Sequence, residues 1–273
     1  MNMSAIGGTG VRRLPTAVGF IARPHSRSMG TGARGARGHG WLMKYRDGRG
    51  GRHLQGRYHA REIEKLSRVN DEVFALNSPQ TIGGRPTTAY LDLSVGGADP
   101  RRVTLELATA ALPVTCDNFA KLCESGSVLD PENMKKKDGD WGYESTVVNK
   151  IEKGVGLCMG DVLGWGGDSG RCHSSLWSPV TNHPYASPYT FRDEPKVLSH
   201  VGPGIVAMLS PGVDENDSRF LITTGDTPQL DGRLVAFGRV SGGMNVIEDI
   251  VAEVFTKRGR PTIEVKIASC GVL

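Results

Sequence analysis

Apolar and polar positions alternate through most of the chain from residue 87 onward. Ala89, Leu91, Leu93 and Val95 alternate with Tyr90, Asp92 and Ser94, the period of a half-buried strand. Gly96-Gly97-Ala98-Asp99-Pro100 reads as a turn, with Val103, Leu105 and Leu107 on the returning strand. Residues 199–240 break into three short runs, rich in β-branched and aromatic side chains and punctuated by Gly202-Pro203-Gly204, the polar 211–218 connection and Asp231-Gly232. The runs are Ile205-Val206-Ala207-Met208-Leu209, Phe220-Leu221-Ile222-Thr223 and Leu234-Val235-Ala236-Phe237. Residues 146–151 and 155–163 read as short strands around Gly154, and Ile263, Val265 and Ile267 as a closing strand.

Two stretches change period. Pro113 opens a helix at a position where its missing N–H costs nothing; Val114, Phe119, Leu122 and Cys123 form the inner face and Gly126 ends it. Residues 246–251 read as a second short helix. Upstream, residues 60–76 form an amphipathic helix through Ile63, Leu66, Val69 and Val73, with Glu62 and Lys65 paired at i,i+3. That stripe has no partner of its own and must dock, on the following domain or on another protein. Residues 164–189 are long and irregular, rich in Gly, Ser and Pro, and carry Trp165, Trp177, Tyr185 and Tyr189. A loop of that length is functional or a contact element.

Charge divides the chain. Residues 1–80 hold 14 Lys and Arg against 5 Asp and Glu, whereas residues 81–273 hold 19 against 24, so the overall +4 belongs to a basic arm. The first acid is Asp47, and before it Arg12, Arg13, Arg23, Arg27, Arg34, Arg37, Lys44 and Arg46 are mixed with Ser, Thr, Ala and Gly. Residues 1–40 therefore read as a mitochondrial transit peptide or a basic tail. Residues 41–86 comprise an Arg/Gly-rich arm, composed to contact rRNA or to act as a solvated linker, and the amphipathic helix; residues 87–273 are the globular domain. Gly30-Thr31-Gly32-Ala33-Arg34-Gly35 fits GxGxxG without the flanking strand and helix that a dinucleotide site needs.

Five cysteines without CxxC spacing fit free thiols. No run approaches the roughly 18 apolar residues of a membrane span. Cys158, Cys172 and His173 match no common zinc spacing, Asp161 and Asp168 read as glycine-loop residues, and no GxSxG elbow is present.

Residues 87–273 resemble the cyclophilins, the peptidyl-prolyl cis-trans isomerases. The resemblance rests on Asp117-Asn118-Phe119 through Leu122-Cys123, Gly160-Asp161, Phe191-Arg192-Asp193-Glu194, Gly202-Pro203-Gly204, Met208 and Ser218-Arg219-Phe220. It continues through Leu230-Asp231-Gly232-Arg233, Val235-Ala236-Phe237-Gly238-Arg239-Val240 and Ala268-Ser269-Cys270-Gly271-Val272-Leu273. It implies a mainly β fold, a closed antiparallel eight-stranded barrel capped by two α-helices, with a basic N-terminal extension. It implies no cofactor and no metal.

The family's chemistry uses an arginine at the prolyl amide, an apolar and aromatic pocket for the ring, and polar side chains on the peptide backbone. In a gap-free alignment from Tyr143 the arginine position is Lys150, after Val148 and Asn149; the pocket Phe-Met falls on Val155 and Gly156, and the glutamine on Cys158. Further on, Leu209 and Ser210 replace Ala-Asn, and Arg219 replaces the second glutamine. Leu221 replaces the pocket phenylalanine, Gln229 the tryptophan and Leu234 the histidine, while Leu230 is retained. Lys150 keeps a charge without the planar guanidinium fork, and Arg219 brings a second long cation.

These replacements lead to the expectation of a catalytically inactive, cyclophilin-fold structural subunit of a mitochondrial assembly. The hosts considered are a respiratory-chain or ATP-synthase complex or the mitoribosome, contacted through residues 40–80 and 164–190. The alternative is an active organellar prolyl isomerase that assists folding.

Overall fold

The computed structural model describes residues 60–125, 141–164, 166–167, 170–177 and 188–273. The transit-like segment, the Arg/Gly arm, the GxGxxG match, Gly126, Asp168 and residues 178–187 lie outside them. All described residues fall in one compact unit.

Strands β1 (Thr88–Val95) and β2 (Arg101–Leu107) form the expected hairpin, with Ala89, Leu91 and Leu93 buried on one face. β3 (Lys150–Glu152), β4 (Gly156–Met159), β5 (Pro203–Met208), β6 (Phe220–Thr224), β7 (Ala236–Gly242) and β10 (Val265–Val272) complete an eight-stranded sheet of order β10-β1-β2-β7-β5-β6-β4-β3. Every pairing in it is antiparallel. β8 (Thr256–Lys257) and β9 (Arg260–Pro261) form a separate small hairpin.

The sheet curls into an eight-stranded antiparallel half-barrel. β3 is only three residues long and pairs on one side alone. The segment before it reaches the far edge strand by single backbone bonds, Val148 N to Val265 O at 2.7 Å and Ile267 N to Thr146 O at 2.9 Å.

Three helices of more than one turn are described: α1 (Ala60–Ala75), α3 (Pro113–Glu124) and α4 (Met244–Glu253), with a single turn α2 (Pro79–Ile82) after the first. Pro113 occupies the first helical position of α3 as expected. No side chain next to it caps the helix; the carboxylate of Glu194 instead accepts from Val114 N at 3.1 Å and Thr115 N at 2.7 Å. An acid at a helix N-terminus satisfies donors that would otherwise be orphaned and opposes the helix dipole favourably. Val114, expected on the inner face, is 40% exposed, while the next residues Thr115 and Cys116 are buried.

Phe119 of α3 lies 5.2 Å, centroid to centroid, from each of Tyr143, Phe220 and Phe237. Each such aromatic contact adds about 0.5–1.5 kcal/mol beyond area burial. The Tyr143 hydroxyl donates to Ser218 O at 2.6 Å, so its polar end is satisfied inside the core.

α1 docks on the chain's own body, and three of the four stripe residues, Ile63, Leu66 and Val73, are half-buried there, Val73 against the core. Its buried residues are Asn70 and Phe74, while Val69 is 36% exposed. The Arg239 guanidinium lies 4.2 Å above the Phe74 ring, and bonds Asp71 at 2.6 Å and Glu106 at 2.7 Å. Asn77 then donates to Leu107 O at 2.7 Å and accepts from Ala110 N at 3.0 Å. Polar clasps add to this stripe, and Asn70 and Phe74 are covered more fully than any of its members. Among the described residues no helix is long and apolar enough to cross a membrane.

Candidate functional site

Residues facing each other across an antiparallel ladder project to the same side of the sheet. Lys150 pairs with Cys158, Cys158 with Leu221, and Leu221 with Ala207, so β3, β4, β6 and β5 carry one continuous row. Phe220 and Ile222, one step either side of Leu221, face the opposite way, and Phe220 joins the aromatic core. Lys150, Cys158 and Leu221 therefore belong to the outer face of the same strands. The register brings these three expected positions together.

The surface they share is apolar and sealed. Leu221, Leu230 and Leu234 are 0%, 1% and 2% exposed, and Val155 and Cys158 are also buried. A Cβ at Gly156 would run into the backbone carbonyl of Ile222 and lie 2.9 Å from Leu221 Cδ1. Without a side chain at 156, Leu221 leans over the gap and fills it. Lys150 stands at the edge. Its Nζ is 2.9 Å from Glu152 Oε2, an ion pair without hydrogen-bond alignment, and its stem lies over Gly259. Ile151 N donates to Gly259 O at 2.8 Å, which ties β3 to the β8–β9 hairpin beneath that stem.

Arg219 does not bring a second cation into this surface. Its guanidinium folds back onto Asp217, with Nη2 to Oδ2 at 2.6 Å and Nε to Oδ2 at 3.0 Å, while Nη1 donates to Gly167 O at 3.2 Å. Burial pushes the Asp217 carboxyl up from its ordinary value, opposed by the charge and hydrogen bonds of Arg219. The extended backbone puts residues 217 and 219 on one side, so the pair is legible as an i,i+2 spacing. Ser210 is also occupied, its hydroxyl donating to Gly212 O. Leu209 packs against the core at the rim, with its N–H on Arg219 O at 2.8 Å.

Gln229 and Leu230 sit on the short 3-10 turn Pro228–Leu230. The half-buried Gln229 Oε1 has no hydrogen-bond partner among the described residues. The turn is held from behind by His200, which is fully buried. Asp231 Oδ1 accepts from His200 N at 2.8 Å and lies 2.9 Å from His200 Nδ1. A carboxylate only accepts, so Nδ1 carries the proton in this pair. Neither His200 nor its clasp was expected from the sequence, since a histidine two residues before a glycine turn carries no period.

Asp161 is a loop residue as expected, accepting from Leu163 N, Gly164 N and Gly167 N. Among the described residues no three His, Cys, Asp or Glu side chains gather to hold a metal. A hollow of about 370 Å³, lined by residues including Val147, Asn149, Arg260, Ile263 and Glu264, lies against the segment before β3 and includes none of the row.

A profile described as cyclophilin type peptidyl-prolyl cis-trans isomerase/CLD matches residues 90–272. Peptidyl-prolyl cis-trans isomerase D of Kluyveromyces lactis is 32% identical over 189 residues, 69% of this chain and 46% of the relative. The chain thus spans about half the length of that curated relative. These findings overturn the expectation of a catalytically inactive structural subunit. The matched relative is named as an isomerase, and the match runs through β3, β4 and β6, where the row lies, rather than stopping at the scaffold strands. The register and the similarity together place this chain in the cyclophilin-type peptidyl-prolyl cis-trans isomerase family.

Proposed function

We propose that the chain is a peptidyl-prolyl cis-trans isomerase that assists folding, with the Lys150–Cys158–Leu221 row as its substrate surface. The observation that carries this reading is the register itself, which sets one cation at the edge of a continuous apolar floor inside the family-matching segment.

The Xaa-Pro bond turns slowly because amide resonance imposes a barrier of about 18–20 kcal/mol. Rotation decouples the nitrogen lone pair from the carbonyl, and a cation at the prolyl amide stabilises that localised charge. Lys150, ion-paired with Glu152, is the cation at this edge. Leu221, Leu230 and Val155 are buried beneath it and form a low-dielectric backing that strengthens the interaction of a bound peptide with the ammonium. No bond to the enzyme is made or broken, and positioning plus electrostatics supply the acceleration.

Lys150 offers a point charge rather than a planar fork, and the floor is a filled surface rather than an open pocket, so turnover is expected to be modest. A protease-coupled assay on an Ala-Pro-Phe chromogenic peptide tests this. Full-length protein should accelerate isomerisation above the buffer rate, and Lys150→Ala should lower that acceleration by about tenfold or more. Absence of acceleration at micromolar protein would sink the reading.

The acid-free, arginine-rich start supports a mitochondrial location for this activity. Import of the full chain into isolated mitochondria, scored by protease protection, checks it; a chain that stays accessible to protease counts against it.

A further inference from the structure

Helix α1 lies ahead of the family-matching residues 90–272, yet its clasp on the barrel leads to the substrate surface. Asn70 is 4% exposed and makes a paired contact with one backbone unit: its Nδ2 donates to Ser199 O at 3.0 Å, and its Oδ1 accepts from Ser199 N at 3.0 Å. The next residue is His200, whose backbone N and ring Nδ1 both meet Asp231 Oδ1, at 2.8 and 2.9 Å. The His200 carbonyl accepts from Thr227 N at 2.9 Å, and Thr227 O accepts from Leu230 N at 2.9 Å. The 3-10 turn carrying Gln229 and Leu230 is therefore bounded by Thr227 and Asp231, and both ends are bonded to His200.

We propose that α1 is a positioning element for the substrate surface, acting through Asn70, Ser199 and His200 on the turn that carries Gln229 and Leu230. The consequence for catalysis rests on the isomerase reading above; the mechanical linkage does not. A paired amide contact to a single residue fixes both position and rotation of that residue's peptide planes, which one hydrogen bond would not. Two independent anchors, the Arg239 clasp on Asp71 and Phe74 and the Asn77 pair on Leu107 and Ala110, hold α1 itself against the barrel. Loss of the Asn70 contact should therefore loosen the turn without undocking the helix. Asn70 touches no expected substrate atom; it is a positioning residue, and its effect belongs in substrate affinity rather than in the chemical step.

The test uses the full chain with Asn70→Leu, which keeps the branching at Cγ and removes both hydrogen bonds, and Asn70→Asp, which keeps only the acceptor. Amide hydrogen exchange is followed at Thr227, Leu230 and Asp231, with Leu105 and Ile222 as barrel references. Asn70→Leu should speed exchange at the turn by about tenfold with the references unchanged, and Asn70→Asp should fall between. With the proline peptide, KM should rise several-fold while kcat stays within about twofold. Unchanged exchange at the turn in both variants overturns the linkage. Faster exchange at the references as well means a general loosening and also overturns it. Faster exchange at the turn with KM unchanged removes its link to substrate. If the wild-type chain turns over no peptide, the isomerase reading falls, and the exchange pattern still decides the linkage. Should Asn70→Leu not fold, Asn70→Asp carries the same comparison.

Discussion

The two faces of β6 differ in what they demand of a side chain. On the inner face Phe220 meets Phe119 edge-on at 5.2 Å and Tyr143 at 5.1 Å, and every neighbour is fixed by mutual packing. On the outer face Leu221 lies over Gly156, in a row that starts at a lysine held by Glu152. Both faces are buried, yet only the inner one needs particular shapes to close. The outer one accepted a glycine, a cysteine and leucines by letting one side chain slide into the space another left. Fold and chemistry are thus written on alternate residues of the same strands, and one can change while the other stays.

The largest effect expected from breaking this contrast is on the inner face. Phe119→Ala should cost about 3–5 kcal/mol, since it opens a cavity against three rings at once. Urea denaturation of the variant measures it; a loss below about 1 kcal/mol would mean that the aromatic cluster is not what holds α3 to the sheet. A smaller effect is expected where the faces meet. Gly156→Ala puts a methyl against the Ile222 carbonyl, so β4 must shift from β6 at a cost of about 1–3 kcal/mol, and the Lys150–Leu221 alignment shifts with it. Stability and peptide turnover should then fall together, unlike Phe119→Ala, whose folded fraction should turn over normally.

On the outer face, Lys150→Arg sharpens the contrast without touching the core. It adds a planar fork at the same edge and should raise kcat/KM by about tenfold, with the thermal midpoint nearly unchanged. A fall in turnover would show that Glu152 and Gly259 shape the edge for an ammonium rather than a guanidinium.

What the sequence disclosed follows the same division. The β1–β2 hairpin and the runs that became β5, β6 and β7 were legible because one face of each is buried, which forces a period of two. The outer row could be reached only through the resemblance, since Lys150, Cys158 and Leu221 are 71 residues apart at the extremes and carry no shared period. The electrostatics were misjudged where the partner was overlooked: Arg219 reads as a loose cation until Asp217, two residues before it, is seen to hold it. The docking of α1 was legible in part. Ile63, Leu66 and Val73 mark its inward side, but Asn70 and the Arg239 clasp, which complete it, leave no trace in hydrophobic periodicity.

The smallest effect belongs to the exposed side of β1, beside neither face of the groove. The hydrogen bonds from Arg102, with Nε and Nη2 each 2.8 Å from a carboxylate oxygen, hold the Asp92 carboxyl below its ordinary value, helped by Arg102's charge and by Ser269 and opposed by partial burial. A depressed folded pKa means that the native state binds fewer protons than the unfolded chain between the two values. Its contribution is therefore complete above the ordinary carboxylate pKa and is lost as pH falls through the depressed one. Arg102 is largely in solvent, so salt screens the pair and the contribution is small. Asp92→Asn should leave the unfolding midpoint at pH 7 slightly lower and flatten its decline as the pH falls below the ordinary carboxylate range, a difference that 1 M salt should erase. A variant whose acid limb superimposes on that of the wild type at low salt would show that the outward-facing pairs of the scaffold strands contribute nothing to its stability, leaving the inner face to supply it alone.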